Sequence, residues 1–260
     1  MPPSRKTDRT KNFSPTNKNR VPARAVGKNR GLHPAAHSPR RSGFTASRRE
    51  EKHNRGMATQ DIPPIAPGTI RIIPLGGVEE IGKNMTAIEM GPDIIVVDIG
   101  LQFPDENAPG VDYIIPDTTY LESRQNKIRG VIITHGHLDH IGGIPYVMPK
   151  IGNPPIYTSL LTAVMIKKRQ EEFVHLPPLT INTVEQKDTI RLGAFKVRFF
   201  GATHTIPDTL GLIIETPFGN IIMTGDIKIE TKDNVPAPFE EETYSALGRG
   251  QNLLLVAAST

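Results

Sequence analysis

Cysteine is absent from all 260 residues, and so is tryptophan. The first absence excludes a disulfide framework and any thiolate-bound metal, so a metal ion could be held only by imidazole and carboxylate. Aromatics are sparse, with nine Phe and five Tyr. No apolar run approaches the ~20 residues that a helix needs to cross a bilayer. The N-terminus also lacks the apolar core of a secretory signal. These absences predict a cytoplasmic protein with no membrane partner. Ile, Val and Leu are nonetheless plentiful between residues 69 and 256, enough for one large domain or two small ones.

Charge divides the chain. Residues 1–60 carry 15 lysines and arginines against three acids, Asp8, Glu50 and Glu51, whereas residues 61–260 carry 16 against 24. The basic segment is rich in Pro, Asn, Ser and Gly and poor in aliphatics. It cannot bury enough surface to offset its ordering entropy, so residues 1–60 are expected to be a disordered basic tail. Arg40, Arg41, Arg48 and Arg49 stand in a background suited to phosphate contacts, and RNA is the expected partner of the tail. Three plainer readings compete: a solvated tail without a partner, a transit peptide (for which no amphipathic pattern speaks), and translation starting at Met57.

From residue 69 the pattern turns to short apolar strands: Thr69–Pro74, Met85–Glu89, Ile94–Asp98, Gly130–Thr134, Ile156–Thr158, Thr180–Val184, Lys196–Phe200, Leu210–Thr216, Asn220–Thr224 and Leu253–Val256. Leu160–Glu172 has helical spacing, with Leu160, Val164, Ile166 and Phe173 apolar and Lys167, Lys168 and Arg169 exposed. Many short strands with few helices predict an α+β protein with two sheets and helices outside them. A doubly wound parallel sheet is not expected. The glycines at 76, 77 and 82 do not form a dinucleotide fingerprint.

Residues 134–140 read Thr-His-Gly-His-Leu-Asp-His after the apolar run Val131-Ile132-Ile133. Three imidazoles and a carboxylate fall within six residues at the mouth of a strand, and these are the side chains that bind a borderline divalent metal such as zinc. His135 and His137 are spaced to share one face of an extended chain. Asp98, His204 and Asp226 each end an apolar run elsewhere. A two-metal site needs about four ligands per ion, shared ones included. His135, His137 and His204 could serve one ion, and Asp139 and His140 the other, with Asp226 bridging. The second ion is then one protein ligand short.

His135-x-His137-x-Asp139-His140, with Asp98 before it and His204 and Asp226 after it, resembles the metallo-β-lactamase fold family, an αββα sandwich, from about residue 69 to 260. Further stretches are similar to bacterial ribonuclease J, a member of the β-CASP group. They are Leu75-Gly76-Gly77-Val78-Glu79-Glu80-Ile81-Gly82-Lys83-Asn84, Phe103-Pro104-Asp105, Pro109 to Asp117, His204 to Asp208, and Thr224-Gly225-Asp226-Ile227-Lys228. The resemblance implies a zinc-dependent ribonuclease with 5′-to-3′ exonuclease and endonuclease activity, acting in RNA maturation, rRNA processing and decay. It implies two zinc ions, held by His135, His137 and His204 and by Asp139 and His140, with Asp226 bridging. Asp139, His140 and Asp226 carry the chemistry, and Asp98 orients a ligand histidine. It further implies a homo-oligomer, dimer or tetramer, and partners in RNA decay.

Family members continue past this length, through an inserted β-CASP region, the return of the first domain and a C-terminal domain. Their Asp-Ser-Thr resembles Ala258-Ser259-Thr260 here, so Ala258 stands where an acid is expected. The expectation is a fragment or truncated product that lacks a ligand of the second zinc and exposes apolar strand edges. Two other functions fit the same motif: hydrolysis of a small thioester or lactam, and an inactive RNA-binding fragment.

Overall fold

The computed structural model describes residues 62–104, 108–233 and 235–259. The basic tail, with Arg40, Arg41, Arg48 and Arg49, lies outside the described residues, as does Asp105. In chain order the elements are β1 (Ile70–Gly76), β2 (Met85–Met90), β3 (Asp93–Val97), α1 (Thr119–Glu122), β4 (Ile128–Ile132), α2 (Leu138–Ile141), α3 (Ile144–Val147), β5 (Ile156–Thr158), α4 (Leu160–Gln170), β6 (Ile181–Thr183), β7 (Thr189–Leu192), β8 (Phe195–Gly201), β9 (Leu210–Thr216), β10 (Gly219–Ile227), β11 (Thr231–Lys232), β12 (Val235–Pro236), α5 (Pro238–Gly248) and β13 (Asn252–Ser259).

Strands β1 to β6 form one sheet in sequence order, and β13-β10-β9-β8-β7 form a second, while β11 and β12 pair only with each other. Strands β1, β2 and β3 pair antiparallel and β3 to β6 run parallel. Period-two alternation divides each inner strand between two apolar layers. Ile88, Met90, Ile95, Val97 and Ile132 of the first sheet meet Val197, Phe199, Leu210, Leu212 and Ile214 of the second. Their neighbours Met85, Ala87, Ile94, Val96 and Val131 face outward, under Leu121, Ile141, Ile144, Val147 and Ile166. On the far side, Phe200, Ile213 and Ile222 are covered by Tyr244 and Leu247 of α5. The layers therefore run helix, sheet, sheet, helix, as the sequence predicts.

Helix α4 corrects one expectation. Leu160 and Val164 are not on its buried face but are 67% and 55% exposed, while Thr162, Ala163 and Ile166 are buried. Ile166 enters the core with Ala163 beside it, and Thr162 on the same buried face pairs its hydroxyl with that of Ser159 at 3.1 Å. On β13, a parallel neighbour of β10 at the edge of its sheet, Leu253, Leu254 and Leu255 are 51%, 36% and 61% exposed. Among the described residues no helix is long and apolar enough to cross a membrane.

Candidate metal centre

All six residues expected to bind metal come together at one end of the two sheets, in two groups. His135, His137, His204 and Asp226 form the first, and Asp139, His140 and Asp226 the second; within each, one potential ligand atom per residue lies within 4.8 Å of the others. His135 Nε2 is 3.0 Å from His137 Nδ1, which is 3.1 Å from His204 Nε2. The Asp226 carboxylate spans the groups, with Oδ2 at 3.7 Å from His204 Nε2 and Oδ1 at 3.3 Å from His140 Nε2. Asp139 Oδ2 lies 3.5 Å from His140 Nε2.

Local structure explains the convergence. His135 and Gly136 follow β4, and His137 is the extended N-cap of the single turn α2 that carries Asp139 and His140. His204 follows β8. Asp226 lies within β10 rather than beyond it, after a register shift between Met223 and Asp226. Gly225 takes φ +59 there, packed against Thr134, a conformation that glycine adopts without steric cost.

Asp98 supports the ligands from behind. It follows β3 with φ 61, a backbone region that Asp enters more readily than most residues and that costs of order 1–3 kcal/mol unless its surroundings hold it. Thr134 N–H donates to Asp98 Oδ1 at 2.8 Å, and the Thr134 hydroxyl donates to the same carboxylate at 3.0–3.1 Å. His140 Nδ1 faces Asp98 Oδ2 at 2.9 Å, and His135 Nδ1 faces Thr134 Oγ1 at 3.0 Å. These partners fix the tautomers that leave both Nε2 atoms pointing into the cluster.

Electrostatics suit the same division. Burial and the neighbouring His140 push His135 down to about 3, so its lone pair is free at neutral pH. Burial also opposes charge on His140, but Asp98, Asp139 and Asp226 outweigh it and push the group up to about 12. A cation between His140, Asp139 and Asp226 would compete with a proton for His140 Nε2. The donors are imidazole and carboxylate only, a set that fits a borderline divalent ion.

Three contributors carry no ligand chemistry, and reading residue types along the chain does not reveal them. One is Thr134. Another is Asn84, whose side-chain amide donates to Asp139 Oδ2 at 3.2 Å and whose backbone N–H donates to Asp139 O at 3.0 Å. The third is Gly100, where a Cβ would lie 1.6 Å from Asp139 O. Their only sequence signal is that Thr134 adjoins the histidine motif and Asn84 ends the glycine-rich stretch from Leu75. A cleft of about 410 Å³ adjoins the second group, bounded by Asp98, His140 and Asp226 and by residues 76–79 and 255–258.

A four-layer αββα sandwich with a His-and-Asp cluster at the shared end of its sheets defines a class of divalent-metal proteins. Residues 94–246 match the metallo-beta-lactamase superfamily, and the chain belongs to it. Ribonuclease J 1 of Streptococcus pyogenes is 37% identical over 196 residues, which are 75% of this chain and 35% of that protein. Ribonuclease J of Corynebacterium glutamicum is 40% identical over 195 residues, 74% of this chain and 27% of that protein. The chain thus spans about a third of the length of these curated relatives. A crystal structure of a protein of unknown function from Enterococcus faecalis has the same fold, with a TM-score of 0.53 and 18% identity, covering 70% of this chain and 48% of that one.

Proposed function

We propose that this chain carries the metal-binding part of a ribonuclease that hydrolyses RNA phosphodiester bonds, both 5′-to-3′ and internally. The observation that carries the reading is the Asp226 carboxylate, which faces His204 with one oxygen and His140 with the other. That arrangement suits two ions held side by side. The ribonuclease J relatives supply the substrate class. We assign His135, His137 and His204 to one zinc, Asp139 and His140 to the other, and Asp226 to both, with Asp98 as the acid that orients them.

When bound, a pair of zinc ions supplies Lewis acidity and lowers the pKa of water, so no nucleophilic side chain is needed. The protein's own part is positional. His135 remains neutral at the pH of reaction, and Asp98 and Thr134 hold the imidazole rings in one tautomer. Asn84 and Gly100 fix the turn that carries Asp139. Asp98, against His140 Nδ1 at 2.9 Å, would keep the opposite nitrogen of that ring directed at the ion. A homo-oligomeric state, partners in RNA decay and a cytoplasmic location belong to the same reading.

The test is a parallel assay of the zinc-loaded chain with 5′-monophosphorylated RNA, a thioester and a lactam, alongside His137→Ala. RNA should be the substrate cut, and the variant should lose both cleavage and most bound zinc while its circular dichroism stays unchanged. Cleavage of the thioester or lactam alone would favour a small-molecule hydrolase. RNA binding without cleavage by any metal-loaded form would favour an inert binding fragment.

A further inference from the structure

The outer face of the second sheet carries charges that packing does not require. Strands β7 and β8 place Arg191 directly opposite Lys196, and β8 and β9 place Lys196 opposite Glu215. Glu215 is shared: Lys196 Nζ reaches Oε2 at 2.8 Å and Arg198 Nε reaches Oε1 at 2.6 Å. Among the described residues Arg191 has no carboxylate within salt-bridge distance, so three cations meet one acid. Like charges directly opposite each other on paired strands are destabilising, and the body as a whole is acidic, with 16 bases against 24 acids in residues 61–260.

Further along the same face, α5 covers Phe200, Ile213 and Ile222. The basic end is left open, with the Lys196 and Arg198 side chains 37% and 43% exposed. The turn between β9 and β10, which follows Glu215, also exposes Phe218, at 43%. Neighbouring strands lie ~4.8 Å apart and alternate residues of one strand ~6.7 Å apart, so the cations form a flat, closely spaced array. Guanidinium groups bind phosphate oxygens in pairs, and an exposed ring is a platform for a base.

We propose that Arg191, Lys196, Arg198 and Phe218 form a second contact surface for single-stranded RNA, which grips backbone phosphates away from the metal centre. The proposal rests on the RNA reading of that centre. Lys196 lies five residues before the end of β8 at Gly201, roughly 17 Å along the strand, and His204 follows on the metal side. The surface therefore holds nucleotides removed from the scissile bond, and its loss should raise KM and leave kcat unchanged.

The experiment measures binding of a fluorescein-labelled single-stranded RNA to the full zinc-loaded chain across a salt series. In R191Q/K196Q/R198Q the log-log salt slope should shrink by about 2, at roughly 0.7 for each phosphate no longer neutralised. KM for RNA should rise several-fold, while hydrolysis of bis(p-nitrophenyl) phosphate and zinc content stay at wild-type values. The charge-preserving R191K/K196R/R198K should keep the wild-type slope. An unchanged slope in the glutamine variant overturns the proposal, as does an equal loss in both variants. So does reduced adsorption to phosphatidylserine vesicles with RNA affinity unaltered. Binding is read without turnover, so a chain that cuts no RNA would defeat the catalytic reading and leave this surface still testable.

Discussion

Asp98 Oδ2 lies 2.9 Å from His140 Nδ1, and the same carboxylate accepts hydrogen bonds from the backbone and hydroxyl of Thr134, whose oxygen in turn faces His135. One buried acid thus orients a histidine in each of the two candidate ligand groups. Asp98→Asn preserves shape but presents an amide N–H to the His140 ring in place of one acceptor. Zinc affinity should fall about 10–100-fold, the range typical when support behind a metal ligand is removed, with the circular dichroism of the fold retained. Calorimetric zinc titration reads the effect, and wild-type affinity in the variant would remove Asp98 from the site.

Asp226 makes a different prediction because its two oxygens face different groups. Asp226→Asn should weaken both zinc-binding steps together, whereas His204→Ala should weaken one. Metal content measured by mass spectrometry after dialysis distinguishes them. Loss of a single ion from the Asp226 variant would assign this residue to one group only.

Gly100 is a position where space decides. A Cβ there would lie 1.6 Å from Asp139 O and 2.6 Å from Asn84 N, whereas at Gly248 it would meet nothing within 4 Å. Both obstacles at Gly100 are backbone atoms, so the turn that carries Asp139 would have to move. Gly100→Ala should cost at least about 1–3 kcal/mol as an overpacked site and lower metal occupancy, while Gly248→Ala should be close to neutral. Equal thermal midpoints for the two variants would contradict this packing.

The legible part of the site was the part made of distinctive side chains. His135, His137, Asp139 and His140 stand within six residues, and His204 and Asp226 end apolar runs, so residue type and spacing pointed to them. Asn84 and Gly100 act through backbone contacts to Asp139 across 55 and 39 positions of sequence, and neither chemistry nor periodicity marks such contacts. The two sheets were readable from alternation, because Ile88 and Ile95 face one layer and Ala87 and Ile94 the other. Helices α1 to α3 escaped because a single turn is too short for a 3.6-residue period to appear. Strand β7 escaped because Thr189–Leu192 is short and half polar. In α4, Thr162, Ala163 and Ile166 form the buried face while Leu160 and Val164 lie outside it, a rotation that apolar spacing alone cannot reveal.

Glu89 gives stability a pH dependence. Burial raises its pKa, but hydrogen bonds from Tyr120 and Lys127 and the charges of Lys127 and Arg71 outweigh burial and lower it below the usual glutamate value. A carboxylate whose folded-state pKa is depressed contributes stability above its unfolded pKa of about 4.3 and loses it as pH falls through the lower, folded value. Glu89→Gln should therefore be less stable than wild type near neutrality. The gap should narrow as pH falls below about 4. Urea denaturation across a pH series measures this, and a gap that stayed constant into acid would show that the loss comes from packing rather than from charge.

The basic tail completes the account of RNA capture, although it lies outside the described residues. We propose that residues 1–60, Arg40, Arg41, Arg48 and Arg49 among them, hold RNA through phosphates without reading its sequence, because 15 bases stand there against three acids. Binding of this kind weakens steeply with salt, with a log-log slope of roughly −0.7 for each phosphate neutralised on a single strand. A chain that begins at Met57 should show a shallower slope and weaker binding than the full chain, with zinc content and hydrolysis of a small phosphodiester unchanged. The effect should be independent of RNA sequence and add to that of R191Q/K196Q/R198Q, since separate contacts contribute separately to the slope. An unchanged salt slope after the deletion would make the tail a passive extension and leave the folded body as the whole of the RNA-binding surface.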